Sequence, residues 1–182
     1  MKTPASEPWH LALAAPKSEL WQHWTENDPS SALRVDHSAW DRLLNTYLVN
    51  GPDGVTLVRY SRVSTADRTA LDHYIRQLTQ KAVSRLNRND QKAFWINLYN
   101  VLVFHGVVEL GIVDSVKEVR NFFGRIAYRV GGYLFTPDDI EHRILRPIWR
   151  DPRIHYVVNC ASLGCPDLPA QALTAVNADT VL

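Results

Sequence analysis

FWINLYNVLVFHGVV, residues 94–108, decides the fold. It lies in an uncharged run between Lys92 and Glu109 and is apolar on nearly every side of a helix. A helix that is hydrophobic all round belongs inside a protein or a membrane. This run is shorter than the roughly 20 apolar residues a membrane span needs, and it carries Asn97, Asn100 and His105. The expectation is therefore a central buried helix, starting near Asn89 or Asp90 and running to Gly111, with no membrane span. A buried amide left without partners costs about 1–3 kcal/mol. Asn97 and Asn100 are thus read as a structural polar core, bracketing the loop at residues 159–166 and the helix at residues 138–146. His105 reads as a satisfied residue of the core or helix end.

The elements around this run are readable from period and punctuation. HSAWDRLLNTYLVNG, residues 37–51, sets Trp40, Leu43, Leu44 and Tyr47 on one helical face, with Ser38 as N-cap and Gly51 as stop. VTLVRYSRV, residues 55–63, is rich in strand formers. In STADRTALDHYIRQLTQKAVSRL, residues 64–86, Ser64 and Asp67 have capping-box spacing ahead of a second helix. IAYRVGGYLFT, residues 126–136, signals a hairpin turning at Gly131-Gly132. TPDDIEHRILRPI, residues 136–148, opens a helix with Thr136 as cap, Pro137 at its first position and Asp138 and Asp139 at the positive end of the dipole. Pro147 should end or kink it.

RIHYVVNCA, residues 153–161, alternates and reads as a strand. SLGCPDLP, residues 162–169, is a loop that Gly164 lets turn sharply, with Pro166 opening a short helix behind it. Helices precede strands and no βαβ alternation appears, so the fold class is α+β: a helical N-terminal half around a buried central helix, packed on a small, largely antiparallel sheet. Residues 1–37 form an arm that packs through Trp9, Trp21 and Trp24, and residues 38–182 form a single domain.

Composition narrows the function. Hydrophobic residues make up 46% and charged residues 21%, values of a globular domain with a core. The formal net charge of +1 gives no bulk attraction for nucleic acid or an anionic membrane. Arg143, Arg146, Arg150 and Arg153 read as a solvated helix face or a local anion contact. The start, MKTPASEPWHLALAAPK, is a poor signal peptide. Two cysteines rule out a disulfide-dense scaffold.

Chemistry-bearing residues gather in three places: the buried helix, the capped helix with Glu141 and His142, and the stretch with His155, Asn159, Cys160 and Cys165. A cysteine attacks as thiolate, and an imidazole or helix N-terminus lowers its pKa. A thiol hydrolase or acyl-transferase would use Cys165 or Cys160 as nucleophile, His142 or His155 as base, and Asn100, Asn159 or Glu141 to orient the base. The loop at residues 159–169 would then wall the main pocket, with His142 or His155 facing Cys165. Two other readings stand beside this one: a non-catalytic binding or scaffold domain whose polar cluster is structural, and a thiol redox module with a Cys160–Cys165 bridge. The spacings lack the paired ligand units of a zinc site, and no phosphate loop or nucleophile elbow is present. No metal and no cofactor is therefore expected. The partner would be a small molecule or a peptide, or another protein.

Three stretches in order carry a resemblance: DQKAFWINLYNVLVFHGV (90–107), DDIEHRILRP (138–147) and DPRIHYVVNCASLGCPDLPAQAL (151–173). They resemble the signatures of the domain of unknown function 547 family, with VDHSAWDRLLNTYLVNGPDGVTLVRY (35–60) as the lead-in of its bacterial members. The resemblance names a domain without naming a reaction. It implies that Asn97, Asn100, Glu141, His142, His155, Asn159, Cys160 and Cys165 occupy motif positions. It also implies export to the periplasm for some members, and a C-terminal part of the family domain beyond Leu182.

Overall fold

The computed structural model describes residues 19–51, 54–112 and 114–182. Trp9 and the start of the chain, residues 1–18, lie outside the described residues. At the centre is α3, Arg88–Leu110, in which every residue from Asp90 to Phe104 is buried. By length and hydropathy α3 would suit a membrane crossing, but 83% of its apolar window is buried inside the protein itself. It starts just before the expected position, because Asn87 caps it by accepting the N–H groups of Asn89 and Asp90. It stops at Gly111, whose φ of 62° is the left-handed C-terminal conformation.

Two helices flank it. α1, Ser38–Tyr47, buries Trp40, Leu43, Leu44 and Tyr47. Its N-cap is His37 rather than Ser38, and the Asp36 carboxylate accepts the Ser38 N–H. The chain leaves α1 as a strand, so Gly51 closes a hairpin instead of stopping the helix. β1 (Leu48–Asn50) pairs antiparallel with β2 (Thr56–Val58). The rest of the expected strand, Tyr60–Arg62, is a 3-10 turn. α2, Thr65–Thr79, has the expected Ser64 cap, whose hydroxyl accepts the Asp67 N–H. It ends before Leu86, and a separate 3-10 turn at Val83–Arg85 puts Val83 and Leu86 into the core.

α4 (Phe122–Arg125) leads to a second antiparallel hairpin, β3 (Tyr128–Val130) with β4 (Tyr133–Phe135). Gly131 and Gly132 both have positive φ, as a type I′ turn requires. Thr136 caps α5 (Pro137–Asp139) in a full capping box. The rod continues through a π-helical segment, Ile140–Leu145, into α6 (Arg146–Trp149). Pro147 does not end this rod. It has no N–H to give the carbonyl of Arg143 four residues earlier, and that carbonyl accepts the Trp21 N–H at 2.9 Å instead. The arm is docked there: Trp21 stacks on Phe135 with ring centroids 4.8 Å apart, and the Arg143 guanidinium covers Trp21 at 4.3 Å. Trp24 is buried edge-on against Trp95 at 5.1 Å. These contacts seat residues 19–25 on the domain.

The expected strand at residues 153–161 does not form. Pro152 opens a 3-10 turn, Pro152–Tyr156, capped by Asp151. Ile154, Val157 and Val158 are buried, while His155 and Tyr156 face solvent. A turn buries residues about three apart, which breaks the alternation a strand would need. Nor does a helix follow Pro166; the chain runs irregularly to a last turn, α7, Ala178–Val181.

Candidate functional site

Asn97 and Asn100 share a face of α3, three residues apart. Asn100 donates to the Val157 carbonyl at 2.7 Å and accepts the Asn159 N–H at 2.9 Å. Those are the two bonds a neighbouring strand would make, so an amide stands in for the sheet partner that residues 157–159 lack. Asn97 does the same for Leu173, donating to its carbonyl at 2.7 Å and accepting its N–H at 2.9 Å. The expected bracket on the 159–166 loop is present. The bracket expected on residues 138–146 is not, since Asn97 reaches Leu173 instead. Sequence reading missed two further ties on the same segment: Asp41 accepts the Ala172 N–H, and Asn177 donates to the Ala172 carbonyl.

From this anchor the loop is built outward. The Asn159 side chain accepts the Ala161 N–H at 2.8 Å and donates to the Pro166 carbonyl at 2.7 Å, closing the loop at its root. Cys165 N–H returns to the Ser162 carbonyl. The left-handed residue of this turn is Ala161, at φ 53°, rather than Gly164. Cys160 and Cys165 form a disulfide with Cα atoms 6.0 Å apart. These are the two cysteines of the chain. In this state neither sulfur is a thiolate, and among the described residues no helix begins at Cys165 or Pro166.

The loop walls a groove of about 450 Å³. Asn159, Ala161, Ser162, Leu163, Cys165, Pro166 and Asp167 form one side, and residues 55–58 with Tyr60 form another. Val107, Ile112 and Val116 are among its apolar lining, and Asp114 and Ser115 add polar groups. Asp167 crosses the groove to accept the Thr56 N–H at 3.1 Å. Burial pushes the Tyr60 phenol well above its usual range. Leu163, inside the disulfide ring, is 82% exposed at the rim.

Glu141, His142 and His155 are not among the residues that line the groove. Glu141 takes two bonds from Arg146, at 3.0 and 2.6 Å, and its charge acts on the buried Tyr99 phenol. Burial, and then the negative charge of Glu141, hold the Tyr99 phenol protonated far above its usual pKa. Burial raises the Asp138 carboxyl, and the nearby His142 opposes that shift. His155 is exposed beside Tyr156. π-Helical turns often accompany functional sites, so the Tyr99–Glu141–Arg146 cluster is a second polar centre. Its tyrosine lay hidden in an apolar run. His105 is satisfied, hydrogen-bonded to Tyr128 and, at 2.8 Å, to Asp72. Among the described residues, no three His, Cys, Asp or Glu side chains converge as metal ligands.

Two comparisons, with curated proteins and with solved structures, find no match. A family model described as "Protein of unknown function, DUF547" matches residues 83–182, which include α3, the π-helical rod and the disulfide loop. The chain belongs to the DUF547 family of proteins of unknown function.

Proposed function

We propose that this domain binds a small molecule or peptide in the groove beside the Cys160–Cys165 loop, and that its polar cluster is structural. The observation that carries the reading is that the wall of the groove is fixed from within. Asn100 holds its root, Asn159 closes it and the disulfide clamps it. A rigid wall reduces the ordering that a ligand would otherwise have to impose. Leu163, held out at the rim, supplies apolar surface that a ligand would cover. The groove's volume lies in the range of small-molecule and peptide sites.

The test is an amide chemical-shift screen of the labelled, oxidised chain against a small-molecule and peptide library. The expected result is a cluster of shifts at Val58, Val116 and Leu163. Shifts confined to other surfaces, or none at ligand concentrations up to about 1 mM, the weak end of binding, would overturn the reading.

A second reading is favoured by one feature. Cys165 is half-buried in the groove lining, and the disulfide ring includes Ala161 in a conformation that costs a non-glycine residue about 1–3 kcal/mol. Backbone held in this way often accompanies sites that change state. Reduction would free the Cys165 thiol in the groove lining, with Cys160 as its neighbour, for redox or acyl-transfer chemistry. Turnover of an activated ester or a disulfide substrate by the reduced chain, lost in Cys165→Ser, would decide for it.

A further inference from the structure

The β1–β2 hairpin leaves one edge of β2 facing the groove. Gly51 N–H bonds to the Val55 carbonyl at 2.8 Å and Arg59 N–H to the Tyr47 carbonyl at 2.9 Å. Between those bonds the register pairs Val49 with Leu57. Inward and outward residues alternate in an antiparallel ladder. Leu57 therefore bonds to β1, and the backbone groups of Thr56 and Val58 point outward. The Thr56 N–H meets Asp167 on the opposite wall. Among the described residues, no other element pairs with this edge.

An unpaired edge inside a groove is a template for one more strand. The lining also has a sign. It contains Asp114 and Asp167 and no Lys, Arg or His, although the chain has 20 Lys and Arg residues. Both carboxylates belong to exposed residues at the groove. Around them lie Val58, Val107, Ile112, Val116 and Leu163. A strand presents alternate side chains to opposite sides, so one set can meet this apolar surface while the other meets the carboxylates.

We propose that the outer edge of β2 is a strand-addition site for an extended peptide that alternates apolar residues with Lys or Arg. The proposal rests on the binding reading above and names its ligand. The Val58 N–H and Thr56 carbonyl supply backbone pairing, and Asp114 and Asp167 select the cationic side chains.

The experiment uses the full oxidised chain and the labelled peptide Ac-Val-Lys-Val-Lys-Val-NH2. Its comparators are the Glu-for-Lys peptide and two forms N-methylated on alternate sets of amides. The Lys peptide is expected to bind about tenfold tighter than the Glu peptide, and one methylated form to lose binding while the other stays within roughly twofold. Asp114→Asn, whose carboxylate makes no hydrogen bond among the described residues, should narrow the Lys preference several-fold while leaving the fold intact. Equal affinity for the Lys and Glu peptides, equal behaviour of the two methylated forms, or an edge closed by a second copy in sedimentation would each overturn the proposal. Should the library screen find groove ligands while both peptides fail, strand addition falls and the binding reading stands. Should neither bind, both fall.

Discussion

The side-chain carbonyl of Asn100 accepts the backbone N–H of Asn159 at 2.9 Å, joining the middle of the central helix to the root of the groove's disulfide-clamped wall. Asn100→Ala leaves the Asn159 N–H and the Val157 carbonyl without these partners. A loss of about 1–3 kcal/mol of stability is expected. Urea denaturation measures it, and an unchanged midpoint would show that the bracket contributes nothing. Asn97→Ala should cost a similar amount by releasing Leu173.

The disulfide closes a short ring, so its chain-entropy contribution is modest, about 2 kcal/mol. Reduction should lower stability by that order while far-ultraviolet dichroism stays native, because Asn159 and Asn100 still hold the loop. Intact mass after alkylation should show no modified cysteine before reduction and two after it. Unfolding on reduction would mean that the bridge, and not the amides, holds the segment.

His37 supplies a pH dependence. It is buried against Tyr74, with Nδ1 2.5 Å from the phenol oxygen, and burial holds its pKa down to about 4 from an ordinary 6.5. As pH falls below 6.5 the unfolded chain takes up a proton that the folded chain refuses until about pH 4. The stability from this site is thus full above pH 6.5 and is lost between the two values, to the extent of about 3 kcal/mol. His37→Gln should flatten that part of the pH–stability curve. A curve that keeps its full slope in the variant would remove His37 as the cause.

Docking of the arm depends on a proline. Pro147→Ala adds a donor that competes with the Trp21 N–H for the carbonyl of Arg143. Hydrogen exchange at the Trp21 amide should speed up while exchange in α3 stays slow. The buried Trp24 is a stronger anchor, and Trp24→Ala should cost about 3–5 kcal/mol.

Local chemistry was readable wherever it acts within a few residues. The Ser64 and Thr136 caps, the Gly131-Gly132 turn and the burial of residues 94–104 all follow from short-range rules. Position 153–161 misled because Ile154, Tyr156 and Val158 alternate like a strand. Pro152 and the Asn100 amide satisfy the backbone in another way, through a partner 57 residues distant. The partner of Asn97 lies 76 residues away, in an irregular segment. The polar residues of the expected thiol site were visible in sequence. Their arrangement was not: two sulfurs bonded to each other, Glu141 held by Arg146, and His142 and His155 outside the groove lining. Spacing alone left the bridge and the nucleophile as open alternatives.

The central claim about the groove's clamped wall is that its sulfurs are structural. Its most direct test is the alkylation rate of Cys160 and Cys165 in the reduced chain, measured residue by residue from about pH 5 to about pH 10. The account predicts that neither thiol is alkylated faster than the cysteine of an unstructured peptide at any pH in that range. A thiolate at either position formed below about pH 7, as at an activated cysteine, would contradict it.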